Sequence, residues 1–153
     1  MKSSEKIIFI SNWIKNYVDN MPSKAQSLIV GISGGIDSSV TSTLCAMTGL
    51  KTIVLSMPIK QIREQQELSL KHLEWLKSKF KNVESHLVVL DNVFKYFKVS
   101  LSEFDDERGF ANSRARLRMA TLYQVASANN GIVVGTGNKI EDFGVGFYTK
   151  YGD

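Results

Sequence analysis

Leu28-Ile29-Val30-Gly31-Ile32-Ser33-Gly34-Gly35-Ile36-Asp37-Ser38-Ser39 is the stretch that decides the fold of this 153-residue chain. Its first five residues form an apolar run typical of a buried strand, and a helix-like segment follows Ser38. Two glycines between them permit a tight turn in which backbone amides approach an anion, and hydroxyls and a carboxylate follow at once. The stretch therefore predicts a strand, a phosphate-binding loop and a helix in succession.

The loop contains no lysine. The Walker A pattern needs Gly-Lys-Ser/Thr to reach the terminal phosphates of a nucleotide. This loop therefore suits a pyrophosphate held as a leaving group better than a terminal phosphate that is transferred. The Asp37 carboxylate lies close to the expected phosphates and carries the same negative charge, so it cannot bind them by itself. Its predicted role is to hold Mg²⁺ that bridges to the phosphates. The simpler alternative is a capping turn in which Asp37 or Ser38 caps the helix.

Composition places the chain among ordinary globular proteins, with 43% hydrophobic and 22% charged residues. The single Cys45 excludes an internal disulfide and favours a reducing compartment. We expect a cytoplasmic protein without a membrane partner, because no apolar run approaches the ~18 residues of a membrane span and the start lacks a secretory segment. The net charge of +4 is spread along the chain, so we expect an anionic small substrate and no nucleic acid.

The periodicity of apolar residues predicts strands that alternate with helices, and hence an α/β fold with a mainly parallel sheet and helices on both faces. The N-terminus is predicted to form an amphipathic helix, with apolar residues between Ile7 and Val18, that closes near Met21-Pro22. Further helices are predicted over 38–47, 62–80, 93–101 and 112–129, and strands over 28–32, 52–57, 86–90 and 131–135. Gly49 is the expected C-cap of the second helix. Ligands bind beyond the carboxyl ends of such strands, so the loops after Ile32, Met57 and Gly135 should converge on one site.

Three segments carry a family resemblance. Ser33-Gly34-Gly35-Ile36-Asp37-Ser38 resembles the signature of the N-type ATP pyrophosphatases, which adenylylate a substrate and release pyrophosphate. Two later segments narrow it, namely Asn112-Ser113-Arg114-Ala115-Arg116-Leu117-Arg118-Met119, and Gly135-Thr136-Gly137-Asn138-Lys139-Ile140-Glu141 followed by Gly146-Phe147-Tyr148-Thr149-Lys150-Tyr151-Gly152-Asp153. Together they resemble the ammonia-dependent NAD synthetases from the first helix to the last residue. The resemblance implies a Rossmann-like fold of the adenine nucleotide alpha hydrolase type.

The resemblance also implies site residues. Arg116 and Lys150 would bind deamido-NAD, and Asp37 and Glu141 would hold Mg²⁺. No catalytic nucleophile is expected, because positioning and charge neutralisation can supply the catalysis. Thr136, expected at the end of the fourth strand, completes the residues that would bind ATP, namely Gly31, Ile32, Ser33, Gly34, Gly35, Ile36, Asp37, Ser38 and Thr136.

The implied reaction amidates deamido-NAD to NAD. The nicotinate carboxylate would attack the α-phosphorus of ATP, pyrophosphate would leave, and ammonia would displace AMP. Whether ammonia or glutamine is the physiological donor stays open, and the resemblance implies a homodimer. Family members continue well past Asp153 with further binding residues. We therefore expect residues 1–153 to form one ATP-pyrophosphatase domain that is incomplete at its C-terminal end, and we leave its turnover open.

The chain departs from the family pattern at two places. One extra residue between Glu141 and Gly146 lets Asp142 compete with Glu141 as a metal ligand. Ser56 stands where many family members place an arginine near the nucleotide.

Several other residues receive structural interpretations. Cys45 is read as a small core residue, and His72 and His86 as surface or structural residues. Without the resemblance, the arginines of 112–119 would be read as solvated. Arg118 is expected to be a structural ion-pair partner of an acidic run, namely Glu103, Asp105, Asp106 and Glu107.

The sequence leaves three alternatives to an NAD synthetase. A GMP-synthetase-like amidating enzyme shares the loop, but the Arg116 segment and residues 136–153 favour NAD synthetase. A tRNA-thiolating relative commonly uses paired cysteines, and this chain has only Cys45. From a different class, the chain could be a non-catalytic adenine-nucleotide-binding module.

Overall fold

A computed structural model of the chain describes residues 2–60, 63–146 and 148–152. Helices and strands alternate over most of its length. The elements are α1 (Ser3–Asp19), β1 (Ser27–Ile32), α2 (Ile36–Met47), β2 (Lys51–Ser56), α3 (Arg63–Lys79), β3 (Val83–Leu87), α4 (Asp91–Ser100), α5 (Glu107–Ala128) and β4 (Gly131–Val133). A 3₁₀ turn, Ser102–Phe104, precedes α5, and a π-helical turn, Ile140–Val145, follows β4.

The four strands form one parallel sheet in the order β3-β2-β1-β4. From β1 the chain moves outward to β2 and β3, then crosses back over the sheet to place β4 on the other side of β1. The connections therefore change direction at β1, which opens a crevice beyond the carboxyl ends of β1 and β4. The predicted α/β fold with a parallel sheet is confirmed.

Helices cover both faces of the sheet, and the alternation of side chains along the strands divides the core in two. Leu28 and Val30 pack with buried residues of α1, α2 and α3 on one face. Ile29 packs with buried residues of α4 and α5 on the other face. Because both faces of β1 are buried, its sequence is a continuous apolar run and not an alternating one.

Two predicted strands differ from the observed ones. The third lies at Val83–Leu87, so the prediction of 86–90 is displaced, because β3 is a half-exposed edge strand that needs no apolar run. The fourth ends at Val133, and the amide of Val134 makes the last bond, 2.9 Å to the oxygen of Ile29. Thr136 therefore does not end a strand, and lies in the loop beyond it.

Helix boundaries follow the predictions with one clear exception. Helix α5 begins at Glu107, five residues before the predicted start, because the Asp106 carboxylate accepts a 2.6 Å bond from the Gly109 amide and caps the helix. Gly49 follows the last turn of α2 with a φ of +78°, as a helix-ending glycine does. The predicted start of α3 at residue 62 lies outside the described residues. No described helix combines the length and apolar character needed to cross a membrane.

The structural interpretations of Cys45, His72 and His86 are confirmed. Cys45 is fully buried in the core beside α1 and α3. His72 lies 2.9 Å from the Ser42 hydroxyl and stacks on Trp75, and burial lowers its pKa. His86 lies on the surface and its ring is 2.7 Å from the carboxylate of Glu84.

We predict that Cys45 is inert toward thiol reagents in the folded protein. Burial raises the pKa of its thiol to about 12, and only the thiolate reacts. At pH 8 the native protein should release no chromophore from an aromatic disulfide reagent within minutes, whereas the protein in 8 M urea (roughly the condition for full unfolding of small domains) should react completely. Rapid native labelling would place Cys45 outside the core.

Candidate functional site

The loop between β1 and α2 rests on the first turn of α3. Gly34 has a φ of +91°, a conformation that favours glycine. A Cβ atom on Gly34 would lie 2.5 Å from the backbone oxygen of Gln65. The backbone of the loop therefore lies directly against the backbone of α3, and this position of the loop depends on the absence of a side chain at Gly34.

Serine hydroxyls hold the loop in shape. The buried Ser38 hydroxyl accepts from the amide of Ser33 at 3.2 Å and lies 3.2 Å from the oxygen of Gly35. The Ser33 hydroxyl accepts from the Gly35 amide at 3.1 Å, and the Ser39 hydroxyl donates to the Gly35 oxygen at 2.8 Å. These hydroxyls therefore brace the loop from inside.

The loop leaves backbone donors available at the start of α2. Within the described part of the chain, the amides of Gly34, Ile36, Asp37 and Ser38 donate to no protein acceptor. The first amides of a helix have no intrahelical partner, and the helix dipole adds partial positive charge at the same end. This end of α2 is therefore suited to an anion.

A cavity of about 900 Å³ lies beyond the carboxyl ends of β1 and β2 and beside the segment that follows β4. Its size is in the range of small-molecule sites. Ile36 is exposed and its side chain does not line the cavity. The other residues predicted to bind ATP or metal all line it, namely Gly31, Ile32, Ser33, Gly34, Gly35, Asp37, Ser38, Thr136 and Glu141.

Asn138 links the two predicted metal-binding segments. Its side-chain amide donates to a carboxylate oxygen of Asp37 at 3.3 Å. Its side-chain oxygen accepts from the backbone amides of Ile140 and Glu141 at 3.1 and 3.0 Å. One side chain thus orients the Asp37 carboxylate and fixes the turn that carries Glu141.

The acidic residues at the cavity suit a hard cation. Asp37, Glu141 and Asp142 all line it, and the Asp142 carboxylate lies against Gly137, where a Cβ atom would be 2.6 Å from Oδ2. Mg²⁺ is commonly held by one or two carboxylates together with phosphate and water oxygens. The described residues form no group of three or more side chains able to hold a metal by themselves. The donor set therefore fits a metal that arrives with phosphates, and the choice between Glu141 and Asp142 stays open.

Arg116 and Lys150 lie together but do not line the cavity. The Arg116 guanidinium donates to the Thr149 hydroxyl at 2.9 Å and to the Lys150 backbone oxygen at 3.0 Å. Gly152 packs against Ala115 and the backbone of Arg116, and it lines the cavity rim. Arg116 thus holds the segment 149–152 beside the cavity, and its contact with a substrate stays a prediction.

The expected ion pair of Arg118 with the acidic run is wrong. Its Nε donates to the backbone oxygen of Met57 at 3.0 Å, and no carboxylate of the described residues lies within 4.0 Å of its guanidinium. Lys98 pairs instead with Glu107 at 2.7 Å and with Asp105 at 3.7 Å. The acidic residues are exposed and Lys98 reaches them, whereas Arg118 is directed to the end of β2.

Ser56 lies beneath the loop, where no nucleotide could touch it. It is fully buried, and its hydroxyl is 2.8 Å from that of Ser69, which also lies 3.3 Å from the backbone oxygen of Ile32. This pair ties the ends of β1 and β2 to α3. Ser56 is therefore a structural residue in this chain.

The sequence did not predict the residues that the segment after β2, helix α3 and helix α5 bring to the cavity. Lys60, Gln65 and Leu68 line it from the segment after β2, and Met119 and Leu122 line it from α5. The first three follow the carboxyl end of β2, which was a signal that could have found them. The others share one face of α5, but nothing local shows which face meets a ligand.

The comparisons with known proteins decide the family. The family model described as NAD synthase matches residues 7–153. This chain belongs to the NAD synthase family. The alternative of a GMP-synthetase-like enzyme is not supported.

Relatives of this family cover nearly the whole chain. The NH(3)-dependent NAD(+) synthetase of Hyperthermus butylicus is 33% identical over 148 residues, which are 94% of this chain and 51% of that protein. The protein of the same description from Methanocaldococcus jannaschii is 35% identical, over 99% of this chain and 58% of its own length. The chain therefore spans little more than half the length of the curated relatives it matches.

Solved structures of the family have the same fold. The NMN synthetase of Francisella tularensis superposes with a TM-score of 0.88 at 33% identity, over 99% of this chain and 61% of that one. The NH3-dependent NAD synthetase of Campylobacter jejuni, in complex with a nitrate ion, has a TM-score of 0.85 at 31% identity, over 99% and 63%.

We predict that Gly34→Ala lowers the free energy of unfolding more than Gly49→Ala does. Both glycines have positive φ, which costs about 1 to 2 kcal/mol for alanine. A Cβ atom at Gly49 meets nothing within 4 Å, whereas one at Gly34 meets the Gln65 oxygen and adds about 1 to 3 kcal/mol by displacing backbone. Urea unfolding measures both losses. Equal destabilisation would show that the loop does not depend on contact with α3.

Proposed function

We propose that this chain is the ATP-binding portion of an ammonia-dependent NAD synthetase. The observation that carries the proposal is the group of amides at the start of α2 that have no acceptor among the described residues, in a loop that lines the same cavity as Glu141. The named activities of the relatives from Hyperthermus butylicus and Campylobacter jejuni support it. On this proposal residues 1–153 form part of one ATP-pyrophosphatase domain.

The proposed chemistry follows from what each part of the cavity can stabilise. A carboxylate oxygen of deamido-NAD attacks the α-phosphorus of ATP, and the bond to pyrophosphate breaks. The amides at the start of α2 stabilise the charge that develops on the departing pyrophosphate, without a protein nucleophile. Ammonia then attacks the acyl carbon, AMP leaves with the oxygen, and a proton is lost to solvent.

We also propose which residues hold Mg²⁺ and which contact the nicotinate-bearing substrate. Asp37 and Glu141 would hold Mg²⁺, which when bound supplies positive charge to the phosphates. Asn138 keeps the Asp37 carboxylate and the turn of Glu141 in register. Arg116 and Lys150 would contact deamido-NAD at the rim. We further propose a cytoplasmic homodimer that takes free ammonia.

A second substrate has support from one observation. The structure from Francisella tularensis, described as an NMN synthetase, superposes with a TM-score of 0.88. The corresponding substrate would be nicotinate mononucleotide, which carries the same carboxylate and lacks the adenylate half. The row of amides and the acidic pair would act in the same way on either substrate, so only a direct assay separates them.

The test is turnover with defined substrates. The chain is incubated with Mg·ATP, ammonium and either deamido-NAD or nicotinate mononucleotide, and AMP, pyrophosphate and the amide are separated by chromatography. AMP formed only with deamido-NAD supports the main proposal, and AMP formed with the mononucleotide supports the second. Mg·ATP binding without any AMP indicates a nucleotide-binding module, the alternative from a different class.

We predict that Asp37→Asn lowers the affinity for Mg·ATP at least tenfold, or about 1.4 kcal/mol. The variant removes a charge that would hold the metal but keeps the shape of the side chain. Calorimetric titration with Mg·ATP, and with ATP in EDTA, measures the effect. Asp105→Asn, which changes an exposed carboxylate far along the chain, is the matched control.

The metal-free titration gives the prediction its second readout. Without Mg²⁺, Asp37→Asn should bind ATP as well as or better than the unchanged protein, because the carboxylate then repels the phosphates. An equal loss with and without the metal would contradict the metal role of Asp37.

A further inference from the structure

Arg118 lines the cavity, where the position of α5 and a hydrogen bond to the backbone hold its side chain. It lies on α5, one turn before Leu122, whose Cδ1 would be 3.4 Å from a Cβ atom on Gly31. This contact places that part of α5 over the carboxyl end of β1. The Arg118 Nε donates to the backbone oxygen of Met57 at 3.0 Å, just beyond β2, and the residue lines the cavity.

The charge of Arg118 has no counter-ion within the described part of the chain. No described carboxylate lies within 4.0 Å of the guanidinium, and among the described residues it hydrogen-bonds to the backbone oxygen of Met57 alone. Burial lowers its pKa, and the nearby charge of Arg114 lowers it further. Placing a cation in a partly buried position without an anion costs free energy, so such groups normally have a partner.

The guanidinium is also oriented for a ligand. Arginine carries five N–H donors, and the bond to Met57 uses the one on Nε. The remaining four belong to the two terminal nitrogens, and a planar fork of this kind pairs with two oxygens of one phosphate. The bond to Met57 thus restrains the plane of the guanidinium, and the donors on its two terminal nitrogens have no acceptor among the described residues of the chain.

We propose that Arg118 binds a phosphate group of the nucleotide in the cavity, from the α5 wall, while the amides of α2 bind from the β1 side. The inference rests on the proposed function and names a further binding residue for it. Two sources could supply the phosphate, ATP and the nicotinate-bearing dinucleotide. In either case the bound phosphate supplies the negative charge that the described residues do not.

The test compares Arg118→Gln with the unchanged chain in calorimetric titrations of ATP, AMP, adenosine and deamido-NAD. We expect at least a tenfold loss of affinity for ATP or for deamido-NAD, and a change of less than twofold for adenosine. A loss confined to ATP identifies ATP as the source of the phosphate, and a loss confined to deamido-NAD identifies the dinucleotide. A loss for both places the guanidinium between the two substrates.

Arg114→Gln is the matched control, because Arg114 lies on the same helix over the ring of Phe94, at 5.6 Å, and does not line the cavity. It should leave all four affinities within twofold. Arg118→Lys keeps the charge and the stem but loses the fork, so its loss should be smaller than that of Arg118→Gln. This variant provides the answer if Arg118→Gln does not fold, as judged by circular dichroism.

Two results would overturn the inference. If Arg118→Gln weakens adenosine and ATP equally, Arg118 only shapes the wall of the cavity. If it changes neither ATP nor deamido-NAD binding, no phosphate contacts it, although the proposed function would stand. Failure of the unchanged chain to bind any nucleotide would contradict the proposed function and the inference together.

Discussion

The hydrogen-bonding of β1 on both of its edges is the constraint on which the rest of the structure depends. Residues 27–32 pair with 51–56 of β2, and residues 27–29 pair with 131–133 of β4. Because both neighbours are parallel to β1, the loops that follow all three strands emerge at one edge of the sheet. The glycine loop, the segment after Met57 and the turn of Glu141 meet there for this reason.

The sequence was sufficient for the parts of the fold that depend on local pattern. The apolar run 28–32 identified the central strand, because a strand covered on both faces contains apolar residues throughout. The two glycines of the loop predict a backbone that needs positive φ; Gly34 has it, whereas Gly35 has a φ of −83° and serves as the N-cap of α2. Gly49, the expected end of α2, also has positive φ. The predicted bounds of the third strand differ from Val83–Leu87 because a half-exposed edge strand contains no such run. The start of α5 differs because it depends on the cap that Asp106 provides.

The residues around the cavity were predictable only where a segment contains its own signal. The loop 31–38 could be found from its spacing and from the family resemblance. The bridge of Asn138 between Asp37 and Glu141, the support of Gly34 by Gln65 and the anchoring of Arg118 on Met57 each join residues far apart in sequence. Such contacts depend on how each helix is placed on the sheet and on which of its residues then reach the cavity. The periodicity of a single segment does not contain that information.

The separation in sequence of the groups that meet at this edge also bears on how the protein folds. Ser27 donates to the oxygen of Asn129 across 102 positions, and Asn138 reaches Asp37 across 101. Closing loops of this length costs chain entropy before any contact compensates for it, which slows folding. We therefore expect the site to assemble after the β1–β2 pair has formed. During synthesis the amides of α2 leave the ribosome roughly a hundred residues, or about 5 to 20 seconds, before Glu141 does. The nascent chain therefore contains the glycine loop long before the rest of the cavity can form around it.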